Sequence, residues 1–331
     1  PTRNDLSRRS LGPATEKYRG LGTIANMSVF NRLAVLPTYN FQRSTFDQAE
    51  SISGETIQRD HFTKSSHCAN CTIGCEKIVT TTDSDNSSTA RMEYESAFAL
   101  GPLLGISDPN VVIRATRYCD ETGMDTISTG VTIAWAMECF ERGLLTLSDT
   151  HGIDLRFGNS EAIYATLESI SQRQGLGDLL AQGSRKASSR LGQGSDEWAM
   201  HVKGLEMPGY EPRSLKTMAL GLAVSTRGAC HNRSSSYEAD FSPAVDRFKA
   251  DADRGAITMH GEDYSAVMDS MIWCKFLRKV FDDFYAESAA IYEHITGWTT
   301  TSADLKVTGE RINNIKKLFN IREGWTRKDD S

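Results

Sequence analysis

Three cysteines fall within eight residues, Cys68-Ala69-Asn70-Cys71-Thr72-Ile73-Gly74-Cys75, while the other four of the seven stand singly. A C-x2-C-x3-C run with a distant fourth cysteine is a donor set suited to a cubane iron–sulfur cluster. Three thiolates converge from one turn and the fourth arrives from elsewhere in the fold. Gly74 suits such a turn, where the backbone often needs a left-handed residue or room beside a sulfide. Disulfides compete with this reading, but the cysteine count is odd and nothing suggests secretion. Structural zinc competes more strongly, yet no second C-x2-C or H-x3-5-H completes a tetrahedral site. The order is also the reverse of the C-x3-C-x2-C of radical-SAM sites. A [4Fe–4S] electron-transfer cluster is the favoured reading. Cys274, in Asp269-Ser270-Met271-Ile272-Trp273-Cys274 at a predicted helix end, is the candidate fourth thiolate. Spacing alone leaves it equally open as a buried helical cysteine. Cys119 and Cys139 lie on apolar helical faces and read as core.

Two further groups carry titratable chemistry. Cys230-His231-Asn232-Arg233 follows Ser225-Thr226-Arg227-Gly228-Ala229, a turn rich enough in polar groups to line a cleft. His231 is a candidate general acid or base there, against the commoner alternative of a solvated or core histidine. Glu93-Tyr94-Glu95 precedes an apolar helix start and reads either as a capping pair or as a functional carboxylate. In Asp120-Glu121-Thr122-Gly123-Met124-Asp125, plain loop chemistry with Asp125 capping the next helix is the simplest reading.

The elements that must position these groups are mostly helices. Ser107-Asp108-Pro109 opens one that Gly123 closes, with Val112, Ile113, Ala115, Thr116 and Cys119 as its apolar stripe. Further helices are predicted over 127–142, from 160 to near Gly175, and over 179–191, 264–276, 281–295 and 302–319. The one convincing strand is 77–82, followed by a polar loop, Asp83-Ser84-Asp85-Asn86-Ser87-Ser88. The fold class expected is mainly α, in two helical domains over 1–200 and 201–331, with a soft boundary near Met200. A hydrophobic content of 39%, a charged content of 24% and a net charge of −6 describe an ordinary globular chain. They argue against a nucleic-acid surface, which needs clustered Lys and Arg. No stretch approaches the roughly 18 apolar residues of a membrane span. With no targeting segment and unpaired thiols, a reducing cytoplasm is expected. The missing initiating Met suggests a piece of something longer.

Taken together, the segments resemble the aldehyde:ferredoxin oxidoreductase family of tungsten enzymes along almost the whole chain. The resemblance rests on Leu36-Pro37-Thr38-Tyr39-Asn40-Phe41-Gln42, the Cys68–Cys75 loop, Glu93-Tyr94-Glu95-Ser96 and Asp125-Thr126-Ile127-Ser128-Thr129-Gly130. It continues through Arg227-Gly228-Ala229-Cys230-His231 and Gly309-Glu310-Arg311-Ile312-Asn313-Asn314, in order and at similar spacing. It implies the second and third domains of that fold and oxidation of aldehydes to carboxylic acids. The implied cofactors are a tungsten bis-pterin, with molybdenum as an alternative, and a [4Fe–4S] cluster passing electrons to ferredoxin or a small iron–sulfur subunit. By position, Cys68, Cys71, Cys75 and Cys274 match the cluster ligands. Asp120 and Asp125 match the first pterin motif, and Asp269 matches the second. Glu95 and His231 match the carboxylate and imidazole beside the metal, and Arg233 stands where the family has a lysine.

The departures shape further expectations. Asp-x-x-Ile272-Trp273-Cys replaces the family's Asp-x-x-Gly-Leu-Cys and puts bulk where the cofactor should pass. Arg114-Ala115-Thr116-Arg117 replaces a Glu-x-x-His that binds a metal between subunits, so any homodimer is expected to lack that metal. The family's N-terminal β-rich domain finds no counterpart, so the fragment alone is expected to be inactive. Oxidation of a hydroxycarboxylate, reduction of an aryl-CoA, or a non-catalytic iron–sulfur or zinc-binding module are the alternatives.

Overall fold

The computed structural model describes residues 2–83 and 87–330, so part of the polar loop expected after Asp83 lies outside the described residues. The chain separates into two units. One comprises Pro1–Gly20, His67–Ile73 and Pro212–Ser331; the other comprises Leu21–Ser66 and Gly74–Glu211. The division near Glu211 ends the Gly- and Pro-punctuated stretch where a boundary was expected from about Met200. The first twenty residues and the start of the cysteine loop belong with the C-terminal unit. As expected, helices dominate both units.

In the unit holding residues 74–211, helix Pro109–Thr122 begins at Asp108, whose side chain accepts from the Asn110 N–H, with Pro109 at the first position. Gly123 ends it in the left-handed conformation. Helix Thr126–Glu141 is buried from Thr129 to Cys139 and is apolar on nearly every side, as a central core helix must be. Its one buried carboxylate, Glu138, accepts from Arg142 at 2.6 Å and from Asn40 at 2.7 Å. Helix Ser160–Gln172 follows. The helix predicted over 179–191 is broken into Leu176–Leu180 and Ser184–Leu191. The break is at Gly183, with φ 82°. There the buried Glu206 accepts from both the Ser184 N–H and hydroxyl, at 2.8 and 2.9 Å, and a Cβ at Gly183 would come within 2.9 Å of its carboxylate oxygen.

The predicted strand is real, as Glu76–Thr80, but it is the middle of three. It pairs antiparallel with Phe62–Ser66 on one side and Thr89–Met92 on the other, with Val79 opposite both Phe62 and Ala90. Strand Phe62–Ser66 was not legible because its residues are polar and mostly exposed, so no alternation marks it.

In the unit holding residues 212–331, the core gathers Leu6, Val267, Met268, Val280, Phe281, Phe284 and Leu305. The long helices are Asp253–Ser270, Phe284–Thr296 and Ser302–Arg322. The first starts eleven residues before, and ends six residues before, the span predicted over 264–276. Thr301 and Asp304 cap the last one reciprocally. That helix buries Leu305 and Gly309, while Ile315, Leu318, Phe319 and Ile321 remain exposed. Among the described residues, no single helix is long and apolar enough to cross a membrane.

Candidate functional site

Cys68 and Cys71 lie in the same unit as Cys274. Cys75 follows two residues past Ile73, where the chain passes into the other unit. The loop is tight: the Cys71 N–H donates to the Cys68 carbonyl at 3.0 Å, and Asn70 is left-handed at φ 58°. The Ile73 N–H points at the Cys71 sulfur, 3.3 Å away. Desolvation raises the pKa of Cys274, the Phe276 N–H opposes this, and the charges of Cys71 and Cys68 add to the rise. Three thiols thus stand close enough for their charges to couple. If ionised they repel one another, and cationic iron would offset that repulsion. Cys119 and Cys139 are fully buried, and burial pushes both thiols up to about 12, which makes them inert core residues. Among the described residues, no three His, Cys, Asp or Glu side chains gather tightly enough for a single metal ion. A cubane, which gives each cysteine its own iron, does not require that gathering.

Cys274 is not on a helix. Helix Asp253–Ser270 ends at Met271, and Ile272 follows at φ 60°, its side chain 91% exposed. The Ile272 N–H donates to the Asp269 carbonyl at 3.1 Å and the Trp273 N–H to the Met268 carbonyl at 2.9 Å. These two bonds make a Schellman cap, whose left-handed position usually takes glycine. The Ile272 departure therefore sits in the backbone conformation that a glycine would hold.

Glu95 lies in the first turn of helix Tyr94–Leu100. Its Oε2 accepts from the Gly209 N–H at 2.8 Å, while the Tyr94 hydroxyl donates to the Gly209 carbonyl. A Cβ at Gly209 would meet the Phe98 ring at 2.7 Å and the Tyr94 ring at 2.9 Å, so only glycine brings this N–H to the carboxylate. Burial raises Glu95 to about 8, the Gly209 bond opposes, and the Asp125 charge adds to the rise. The carboxyl is therefore protonated at neutral pH. Gly209 was missed from sequence because its role depends on a contact 114 residues away. Glu93 is no side-chain cap; instead Thr23 accepts from the Tyr94 N–H at 2.8 Å and donates to Glu93.

His231 starts the short helix His231–Ser234. Burial, then the charges of Arg278 and Arg227, push its pKa down to about 3, so the imidazole is neutral near pH 7. Asp125 caps helix Thr126–Glu141 through its Oδ2, which accepts from the Ser128 N–H at 2.8 Å. Asp120, near the end of helix Pro109–Thr122, is exposed. Asp269 is held by two cations, Arg233 at 2.7 Å and Lys275 at 2.8 Å. Arg114 pairs with Asp83, and Arg117 with Glu121 at 2.6 Å, so neither position of the altered Glu-x-x-His offers a metal donor.

Residues 7–331 match the family model described as aldehyde ferredoxin oxidoreductase, domains 2 and 3. The tungsten-containing aldehyde ferredoxin oxidoreductase of Pyrococcus abyssi is 33% identical over 95% of this chain and 51% of its own length. The aliphatic sulfonate oxidoreductase, WOR-like subunit, of Pyrococcus furiosus is 28% identical over 95% of this chain and 49% of its own length. The chain thus spans about half the length of the curated relatives it matches. Among solved structures, the active-site complex BamBC of benzoyl-coenzyme A reductase superposes with a TM-score of 0.77 at 18% identity. It covers all of this chain and 57% of its own. That likeness is one of fold.

Proposed function

The chain belongs to the aldehyde ferredoxin oxidoreductase family, a family of oxidoreductases, and from that premise we propose that it contributes the cluster- and cofactor-binding residues of an enzyme converting aldehydes to carboxylic acids. Cys68, Cys71, Cys75 and Cys274 would hold a [4Fe–4S] cluster. The coupling of Cys68, Cys71 and Cys274 within one unit is the observation that carries this reading. Asp120, Asp125 and Asp269 would accept hydrogen bonds from the amino groups of two pterins. Cys68, Cys71 and Cys274, whose charges couple, are the thiols that suit the cluster. The carboxylates fit less fully, since Asp125 and Asp269 already have partners. When bound, the tungsten–pterin group supplies two-electron redox chemistry, and the cluster relays single electrons to a ferredoxin-like acceptor.

The chain's own share is proton handling. With its pKa near 8, Glu95 can donate a proton at neutral pH and accept one above that. Neutral His231 offers one N–H donor and one acceptor nitrogen, fit to orient a carbonyl or water rather than to supply a charge. Arg233 keeps a positive charge beside Asp269.

The test is anaerobic isolation of the protein that carries this chain, with tungsten, molybdenum, iron and zinc measured together and aldehyde-dependent viologen reduction assayed. Tungsten, about four irons per chain and aldehyde-dependent turnover are expected. Stoichiometric zinc without turnover would replace the proposal with a non-catalytic module.

A further inference from the structure

Strand Glu76–Thr80 buries alternate residues, and its two inward positions belong to Lys77 and Val79. A lysine is almost never fully buried unless its charge is met, yet Lys77 is only 2% exposed. Its Nζ donates to the Ser65 hydroxyl at 2.8 Å and to the Gly74 carbonyl at 3.1 Å. That carbonyl belongs to the peptide bond Gly74 shares with Cys75, so the ammonium holds the backbone that presents the thiol. Gly22, at φ 72°, packs against the same pair. A Cβ there would come within 2.6 Å of the Cys75 carbonyl oxygen and 2.9 Å of the Lys77 Cγ, so one glycine lets the cysteine backbone and the lysine stem close up. All of these residues lie in the unit comprising Leu21–Ser66 and Gly74–Glu211.

Hydrogen bonds to a hydroxyl and a carbonyl could be made by a neutral donor. A full positive charge enclosed at this point costs desolvation and calls for a negative charge to face. Burial lowers the Lys77 pKa, and the charge of Cys75, followed by that of Glu93, opposes the fall. Cys75 therefore acts on the ammonium more strongly than Glu93 does. Glu93 takes a hydrogen bond from Thr23 and feels the charge of Arg91 ahead of that of Lys77. The anion that best suits the buried ammonium is a Cys75 thiolate.

We infer that Lys77 is a positioning residue that tunes the cluster through Cys75. It holds the Gly74 carbonyl and keeps a positive charge beside the thiolate, which raises the reduction potential of the cluster Cys75 would ligate. The inference rests on the cluster reading given above. Reduction adds one negative charge, and a cation in low-polarity surroundings stabilises the reduced state more than the oxidised one. Removing the ammonium also leaves the Glu93 charge less opposed, which lowers the potential further.

The experiment is an anaerobic redox titration, read by EPR of the reduced cluster, with iron counted in every sample. It compares the protein that carries this chain with its Lys77→Met, Lys77→Gln and Lys64→Ala variants. Methionine keeps the buried stem without the charge. Glutamine also keeps a donor for the Gly74 carbonyl, and it serves should the methionine variant fail to fold. Lys64 is exposed on the neighbouring strand, where solvent screens its charge. At a fixed potential, the ratio of reduced to oxidised cluster should fall about tenfold in both Lys77 variants, a shift of about 59 mV for a one-electron couple. Iron should be retained in Lys77→Gln, and Lys64→Ala should stay within about twofold of the parent. An unmoved potential in the Lys77 variants, whether iron is full or partly lost, would overturn the inference and leave the cluster standing. So would an equal shift in Lys64→Ala. A parent protein without cluster iron would remove the cluster reading and this inference together.

Discussion

Replacing Ile272 with glycine should stabilise the protein. Ile272 occupies the left-handed position of a Schellman cap at φ 60°, and its side chain is 91% exposed. A side chain with a Cβ in that region costs about 1–2 kcal/mol, and β-branching places isoleucine at the upper end. Glycine removes that cost but adds backbone entropy to the unfolded chain, worth about 0.5–1 kcal/mol. Little packing is lost, because the side chain buries almost no surface. The net gain for Ile272→Gly is about 1–1.5 kcal/mol. Both cap hydrogen bonds, from the Ile272 N–H to Asp269 and from the Trp273 N–H to Met268, are backbone bonds and survive the change. Equilibrium urea denaturation at fixed pH, with Ile272→Ala as control, measures it. Alanine keeps the Cβ and so retains most of the strain; it should fall between the parent and the glycine variant. A glycine variant less stable than the parent, or an alanine variant equal to glycine, would refute the strain argument.

Three other outcomes follow from the site's electrostatics and packing. Glu95 is raised from an ordinary 4.5 to about 8, so the folded state keeps a proton that the unfolded state releases between those values. That contribution is complete below pH 4.5 and is lost as pH rises through 8, at up to about 1.4 kcal/mol per pH unit. Glu95→Gln should match the parent near pH 4.5 and exceed it by roughly 2–4 kcal/mol at pH 9, after discounting for partial solvent access; parallel stability–pH curves would exclude a buried neutral Glu95. His231 has the opposite sign: its pKa is depressed from 6.5 to about 3, so its contribution is present above pH 6.5 and lost as pH falls toward 3. His231→Asn should flatten the acid limb of the same curve, and an unchanged limb would mean the imidazole is solvated. Gly209→Ala should destabilise by about 1–3 kcal/mol through the Phe98 and Tyr94 clash. It should also raise the Glu95 pKa further, visible in an NMR titration, whereas a silent substitution would show that the glycine is not needed.

Local signals were legible and distant ones were not. Asp108-Pro109 and Gly123 announced the ends of their helix because caps are written within a few residues, and the structure uses each as expected. The break at Gly183 was missed because it is made by Glu206, which accepts from Ser184 across 22 residues of sequence. Strand Phe62–Ser66 was missed because its partner, rather than its own pattern, makes it a strand. The grouping of Pro1–Gly20 with the C-terminal unit rests on contacts such as that of Arg9 with the Val280 carbonyl, 2.8 Å across 271 residues of chain. No window of sequence contains that contact. Glu95 and His231 were found as residue types, but their shifted pKa values come from surroundings that only the fold assembles.

The central claim, that Cys68, Cys71, Cys75 and Cys274 hold a [4Fe–4S] cluster, is tested most directly by counting iron and acid-labile sulfide after anaerobic reconstitution of the chain. About four of each per chain are expected, with a sharp fall in Cys274→Ala and no change in Cys139→Ala, whose thiol is fully buried. Equal loss in both variants, or one zinc per chain in place of iron, would contradict it.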